Sequence, residues 1–391
     1  LGLIVYIVIK SKIKKMIQKY LGSEIRKFRK NIKFFKKNNE ESNLKNNQQF
    51  TTLPKIKNAL LVRPEFCNIS VNEECFFKCK MCYKWKPDIF IPEDAEKLTT
   101  NDLKKFIFGL RQTVDKGFLI NFAGGETLLR KDLFEVIKYA KNLGFETNLA
   151  SNGYLIDEKM AKNMIDSGLS SINFSIDGSN AEIHDEMRGR KGSFEKLLKA
   201  IDLLVSYREK KGLGKMEFRI AAQAVICALN LEDIPSLVSF IDNHPHILSI
   251  KFNVVMEPNN TKPDPKWYKG KYSFLWPKDM SIVDRVFDQL IRMRKENSKI
   301  PDELFQLEAY RKYFKDPNKF IKLGHCNFDK SINLSSTGDM FLCFNYASIG
   351  NIKNIDFVDA WDSKKAKKVR SEIFKCTKNC HFLINCNLDE N

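Results

Sequence analysis

Six stretches of strand character alternate with six of helical period, no hairpin signal falls between them, and a short chemical motif follows each of the first four strands. Together these predict an α/β fold, a partial (β/α)6 barrel. Strands are expected near Phe66–Val71, Phe118–Phe122, Glu146–Ala150, Ser171–Ile176, Glu217–Val225 and Leu248–Val254, where alternation and β-branched content coincide. Helices are expected near Thr100–Val114, Lys131–Leu143, Asp157–Ser167, Ser193–Lys211, Leu231–Asp242 and Ser281–Glu296. Without hairpins the strands run parallel, joined by right-handed crossovers. The expected organisation is an amino-terminal segment over 1–58, the barrel over 59–300 and a small α+β region over 301–391.

The most informative run is Cys75-Phe76-Phe77-Lys78-Cys79-Lys80-Met81-Cys82. Three thiols at this spacing suit one tight loop that gives one thiolate to each of three irons of a cubane and leaves the fourth iron without a protein ligand. Zinc also takes clustered thiolates, but it prefers four ligands in pairs, and no fourth candidate adjoins the triad.

In a barrel of parallel strands the chemistry gathers at the carboxyl ends. The cysteine loop follows the first strand, Gly124-Gly125-Glu126 the second, Ser151-Asn152-Gly153 the third, and Ser175-Ile176-Asp177-Gly178 closes the fourth. Two glycines permit close backbone approach, and the Glu126 carboxylate suits an ammonium. Ser151 and Asn152 offer hydroxyl and amide groups for ribose or carboxylate oxygens, although Ser-Asn-Gly is also common turn chemistry. Ser175, Asp177 and Arg188 form a further group, in which a guanidinium can clamp a carboxylate. Arg188 has the competing option of a surface pair with Asp185 or Glu186. His184 fits a helix start or packing better than catalysis.

These motifs, in this order, resemble the radical S-adenosylmethionine superfamily, with Met81 standing where an aromatic usually precedes the last cysteine. The resemblance implies a TIM-like partial barrel and a 4Fe-4S cluster on Cys75, Cys79 and Cys82. It also implies S-adenosylmethionine held by Gly124, Gly125, Glu126, Ser151, Asn152, Ser175, Asp177 and Arg188. Such enzymes cleave that cofactor reductively to a 5'-deoxyadenosyl radical that abstracts hydrogen from a substrate, which requires a reductase or ferredoxin-type electron donor.

The last 91 residues hold Cys326, Cys343, Cys376, Cys380 and Cys386, half of the chain's 10 cysteines. The stretch Ile332–Cys343 reads as a hairpin turning at Thr337-Gly338-Asp339, with Trp361 beyond it on a basic helix. This order resembles the SPASM or shorter twitch extension of the same superfamily. Five thiols complete one four-ligand cluster and leave one over, so one auxiliary 4Fe-4S cluster is expected on Cys326, Cys343, Cys376 and Cys380, with Cys386 as the substitute. Structural zinc satisfies the same thiolates. Cys67 and Cys227 read as small buried apolar side chains.

Ten cysteines without a convincing cleavable signal point to a reducing, cytoplasmic setting and metal ligation rather than disulfides. The apolar opening Leu1–Ile9 is too short to span a bilayer, and its leucine start leaves a truncated chain open. Residues 10–37 carry twelve Lys or Arg and one acid, Glu24, a net +11 of the chain's +18. Ile13, Met16, Ile17, Tyr20, Leu21, Ile25, Phe28, Ile32 and Phe35 recur at helical spacing among these cations, as on a helix lying on the anionic inner face of a membrane. RNA is the weaker reading because no nucleic-acid motif accompanies the charge, and packing on the barrel remains the plain alternative.

The expected function is a radical S-adenosylmethionine oxidoreductase acting on an envelope-linked sugar or lipid. A peptide- or protein-modifying maturase is the alternative, and a zinc-stabilised binding protein is the rival of another class.

Overall fold

The computed structural model describes residues 62–82, 96–257, 264–319 and 326–380. The basic amino-terminal segment and Cys386 lie outside the described residues. Six strands appear in the expected order: β1 (Phe66–Ser70), β2 (Leu119–Ala123), β3 (Glu146–Ser151), β4 (Ser171–Ser175), β5 (Arg219–Ile226) and β6 (Ile250–Val254), each parallel to the next. Three more come from the carboxyl-terminal region. β7 (Ser331–Leu334) pairs parallel to β1, and β8 (Asp339–Phe341) and β9 (Gly350–Asn351) follow antiparallel, so the sheet runs β6-β5-β4-β3-β2-β1-β7-β8-β9. The Thr337-Gly338-Asp339 turn joins β7 to β8 as expected, with Gly338 at φ 97°. One continuous sheet therefore links the barrel strands to the cysteine-rich end.

The helices are α1 (Thr100–Arg111), α2 (Leu133–Asn142), α3 (Glu158–Asp166), α4 (Ala181–Arg188), α5 (Ser193–Lys210), α6 (Ile234–Asn243), α7 (Met280–Lys295), α8 (Leu304–Lys315), α9 (Phe357–Trp361) and α10 (Lys364–Phe374). Two expectations change. The single helix expected between β4 and β5 is preceded by α4, and the chain between the two carries Gly189 at φ 58° and Gly192 at φ 77°, which α-helix cannot continue through. Trp361 is not on the basic helix but ends α9. Its Nε1 donates to the Val62 carbonyl at 2.9 Å, while Arg370 of α10 stacks 4.4 Å from its ring. Among the described residues no helix is long and apolar enough to cross a membrane.

The two faces of the barrel strands differ in chemistry because side chains alternate along a strand. Cys67, Ile69, Ile120, Phe122, Leu149, Ile172, Phe174 and Ile220 are buried in the apolar core with Leu103, Phe106, Val136 and Ile137 of α1 and α2. Cys67 keeps the packing role expected of it. The other face carries a ladder in register of three amides and a hydroxyl, Asn68, Asn121, Asn148 and Ser171, with hydrogen bonds of 2.7, 2.7 and 2.8 Å between successive strands.

The free edge of β6 would expose unpaired amides, which proteins cover. Here residues 299–310 cover it. The Ile250 amide donates to the Lys299 carbonyl (2.9 Å), the Phe252 amide to Asp302 Oδ2 (3.0 Å), and the Tyr310 hydroxyl to the Phe252 carbonyl (2.8 Å). Asp302 is fully buried, and burial raises its carboxyl from 3.8 to about 6 against the opposing pull of the Phe252 amide and Lys251. A carboxyl that keeps its proton to higher pH when folded stabilises the fold below its unfolded pKa and loses that contribution as pH rises through the folded value. The gap of about two pH units corresponds to about 3 kcal/mol. The stability of the chain relative to Asp302→Asn should therefore be greatest near pH 4 and fall by up to about that amount by pH 7. Denaturant unfolding of both proteins across this range checks it, and parallel profiles would remove Asp302's titration from the edge.

Candidate functional site

The loop after β1 is shaped by the turn after β2. The Gly125 amide donates to the Asn72 carbonyl (3.1 Å) and the Glu126 amide to that of Glu74 (2.7 Å), while Asn72 Nδ2 returns a bond to the Glu126 carbonyl (2.8 Å). These contacts leave no room for side chains. A Cβ on Gly124, which sits at φ 146°, would run into the Asn72 carbonyl, and one on Gly125 into the Glu74 carbonyl. The glycines thus serve the cysteine loop's own backbone.

The same loop is held on its other side by α4. The Lys80 amide donates to the Met187 carbonyl (2.9 Å), and Gly189 ends the helix in the left-handed region against the Lys78 carbonyl, where a Cβ would clash. Phe76, Phe77 and Tyr154 form an edge-packed trio with ring centroids 5.1 to 5.7 Å apart, and Arg190 lies 4.9 Å over Tyr154. Cys79 and Cys82 lie within electrostatic range of Cys75, although among the described residues the three thiols do not close into a group set to hold a metal ion. Burial pushes the Cys75 thiol up to about 11, with the neighbouring sulfurs of Cys79 and Cys82 and the Glu126 carboxylate adding to it. Burial thus opposes ionisation of Cys75, a cost that a cationic metal centre would offset by favouring its thiolate.

Arg188, at the end of α4, is not at the surface with Asp185 or Glu186. Its Nε lies 2.9 Å from Asp177 Oδ2, and its Nη1 donates to Cys79 Sγ at 3.5 Å. Burial disfavours the guanidinium's charge, but Asp177 and the sulfurs of Cys79 and Cys82 outweigh it and hold the group protonated above its ordinary range. Burial pushes the Asp177 carboxyl up, and Arg188 and the Val225 amide pull it back; a guanidinium that does not give up its proton keeps the pair ionic. The Val225 amide donates to Asp177 Oδ1 at 2.7 Å. His184 is buried, its ring nitrogen accepts from the Asp177 amide (3.3 Å), and burial lowers it to about 3, a packing role as expected. Asp185 instead caps the start of α5 through Gly192, Ser193 and Phe194.

Glu126 is 1% exposed, and its carboxylate is turned toward β3. It accepts from Ser151 Oγ (2.7 Å), the Asn152 amide (2.9 Å) and the Leu128 amide (3.2 Å). Burial raises its pKa, and those three donors together with Arg188 oppose the rise. Asn152 Oδ1 accepts from the Tyr154 amide at 2.9 Å. Ser151 and Asn152 therefore spend part of their capacity on the turn itself, while Ser175 ends β4 half-buried. The residues brought together without a sequence signal are Asn72, Arg130 and Asn230. Arg130 donates to the Val71 carbonyl (3.1 Å), and Asn230 Nδ2 to the Asp177 carbonyl (2.9 Å). Cys227 is buried behind Asp177, its thiol 3.6 Å from Met187 Sδ.

A second thiol group lies at the open end of the β7–β8 hairpin. Cys326 precedes β7, Cys343 follows β8, and Cys376 and Cys380 follow α10. Cys343 feels the charges of Cys380, Cys326 and Cys376, and burial pushes it up to about 12 and Cys326 to about 11. Cys326, Cys376 and Cys380 lie within electrostatic range of Cys343, four thiols in number for a four-ligand centre, although among the described residues they do not close into a group set to hold a metal ion.

Residues 69–213 match the model of the radical SAM superfamily, and residues 326–387 match that of SPASM, an iron-sulfur cluster-binding domain. The chain belongs to the radical SAM superfamily. Fe-coproporphyrin III synthase of Methanosarcina barkeri is 26% identical over 339 residues, covering 82% of this chain and 78% of that protein. GTP 3',8-cyclase of Aliarcobacter butzleri is 27% identical, covering 74% and 83%. The crystal structure of Streptococcus suis SuiB bound to S-adenosylmethionine shares the fold at 17% identity and a TM-score of 0.57, covering 79% of this chain and 68% of that one. The chain is thus a radical SAM iron-sulfur enzyme with a SPASM domain. Membership implies a 4Fe-4S cluster and S-adenosylmethionine, and the SPASM match implies auxiliary iron-sulfur binding. The zinc-stabilised binding protein gives way to these matches.

Gly125→Ala should displace the cysteine loop at a cost of about 1–3 kcal/mol of overpacking. Reconstituted iron should fall while far-ultraviolet dichroism stays unchanged. Wild-type iron content in that variant would contradict the close approach of the two backbones.

Proposed function

We propose that Cys75, Cys79 and Cys82 hold the catalytic 4Fe-4S cluster at the barrel mouth, and that Gly124, Gly125, Glu126, Ser151, Asn152, Ser175, Asp177 and Arg188 surround S-adenosylmethionine. The observation that supports this reading is a buried guanidinium bonded to one of three neighbouring thiols on a loop locked by the Gly124-Gly125 turn. When bound, the cluster and cofactor supply reductive cleavage of S-adenosylmethionine and hydrogen-atom abstraction. Gly124 and Gly125 keep the loop backbone close, Asp177 orients Arg188, and Glu126 ties the second turn to the third. Cys326, Cys343, Cys376 and Cys380 hold one auxiliary 4Fe-4S cluster, with Cys386 as the alternative ligand. The barrel spans 59–300, the auxiliary region 301–391 and the basic segment 1–58, and a reductase or ferredoxin-type protein donates the electron.

The substrate binds against the polar strand face. By strand alternation and register that face continues from the amide ladder through Asn173, Ser175, Gln223, Lys251 and Asn253. Among the described residues the side chains of Asn173, Gln223, Lys251 and Asn253 make no hydrogen bond to protein. Buried and half-buried donors left for a ligand favour a sugar over the acyl chain of a lipid. A peptide is the second reading: amides also suit a peptide backbone, and SuiB has been solved with its precursor peptide SuiA.

Replacing Cys75, Cys79 and Cys82 together with alanine should abolish the slow 5'-deoxyadenosine formation of the anaerobically reduced enzyme and remove about four irons. Continued cofactor cleavage by the triple variant would sink the assignment.

The cations and apolar stripe of residues 10–37 place the enzyme on an anionic cytoplasmic membrane face in this reading. Full-length protein should then co-sediment with anionic vesicles and release as salt rises, because the ionic attraction is screened. Equal binding to neutral vesicles, or none to either, would end the membrane part of the proposal.

A further inference from the structure

We propose that Arg188, aimed by Asp177, donates a hydrogen bond to the Cys79 sulfur and thereby sets how readily the cluster in the cysteine loop accepts an electron. This rests on the reading that Cys79 is a ligand of that cluster. Arg188 Nη1 lies 3.5 Å from Cys79 Sγ, while its Nε forms an ion pair with Asp177 Oδ2 at 2.9 Å.

Neither partner has room to drift. Asp177 is 1% exposed and fixed at three atoms: Oδ1 by the Val225 amide, its own amide by His184, and its carbonyl by Asn230. The sulfur is fixed from the other side, because the Lys80 amide is bonded to the Met187 carbonyl and Gly189 presses on the Lys78 carbonyl one residue before Cys79. The guanidinium and the thiol therefore belong to one rigid unit, built from the end of β4, helix α4 and the loop after β1.

One-electron uptake from a ferredoxin-type donor adds one negative charge, with no bond made or broken and no proton transferred. Ligand sulfurs bear part of that charge, and hydrogen bonds to them together with local net charge are what set a cluster's potential. A buried cation that cannot deprotonate stabilises the reduced state, more so where water is excluded. Arg188 thus raises the potential, and Asp177 acts as its positioning residue. This is separate from any contact between Arg188 and the carboxylate of S-adenosylmethionine, because it operates before the cofactor is present.

The test is a redox titration of the reconstituted full-length enzyme without S-adenosylmethionine, followed by electron paramagnetic resonance. Arg188→Met should lower the equilibrium constant for reduction at least tenfold, equivalent to 59 mV for one electron. Asp177→Glu, which keeps the charge but displaces the guanidinium, should shift it in the same direction by less. Lys191→Met, which removes an exposed cation three residues further along, should leave it unchanged. Since loss of Arg188 can also cost iron, wild-type enzyme exchanged into deuterium oxide supplies a measurement free of substitutions: electron-nuclear double resonance should show an exchangeable proton coupled to the cluster. A wild-type potential in iron-replete Arg188→Met, or no such proton in the wild type, overturns the proposal. Failure of the cluster assignment would register separately, as iron retained after all three loop cysteines are removed.

Discussion

The backbone interlock between the cysteine loop and the Gly124-Gly125-Glu126 turn is the constraint on which the site depends. A loop of this length without regular structure has amides and carbonyls that must find partners. They find them in neighbouring turns: Val71 with Ala123, Asn72 with Gly125, Glu74 with Glu126, and Lys80 with Met187. Within the loop the Cys82 amide donates to the Cys79 carbonyl, and the Phe77 backbone bonds the Cys75 sulfur. The described part of the loop takes its shape largely from the elements around it, and β2 and α4 hold its three cysteines from both sides.

Behind that mouth the sheet separates two environments. The helix-covered face supplies apolar burial, worth about 1.5–3 kcal/mol for each large side chain removed from water. The opposite face carries amides whose burial would be costly without partners, and Asn68, Asn121, Asn148 and Ser171 satisfy one another across four strands. The ladder stops at Ser171, because its register partner on β5 is Arg219, which is bonded to Glu146. Beyond it, Gln223, Lys251 and Asn253 make no side-chain hydrogen bond to protein among the described residues.

Much of this was readable before any coordinates. The six barrel strands fall within about two residues of their expected positions, because alternation and β-branched content are local properties. The clustering of four motifs at one mouth follows from parallel topology, since every strand end then points the same way. What could not be read depends on contacts distant in sequence. Arg188 has acids three and two residues before it, yet its partner is Asp177, eleven residues back, since the tight turn after α4 places the guanidinium inside. Glu126 carries the expected carboxylate, but its direction toward Ser151 and Asn152 depends on β3 packing beside β2. Helix α8, the cover of the β6 edge, escaped because its apolar positions are shared between two contacts, with α7 and with the strand edge, and give no single stripe.

The hairpin relates the two thiol groups to one another. β7 is parallel to β1, so its turn end lies beside the cysteine loop, where Ser336 Oγ donates to Glu73 Oε1 at 3.1 Å. Cys326 and Cys343 are at the opposite, open end, where Ser331 Oγ and Asn333 Nδ2 both donate to the Leu342 carbonyl next to Cys343. Four strand residues at about 3.3 Å each put roughly 13 Å between the two ends. That is too far for either thiol group to complete the other's coordination, yet both are anchored to the same parallel pair. Register between β1 and β7 therefore fixes the spacing of the two groups. Because a slip of one residue would turn Asn333 and Ser331 to the wrong face, the buried hydrogen bonds at the open end specify that register.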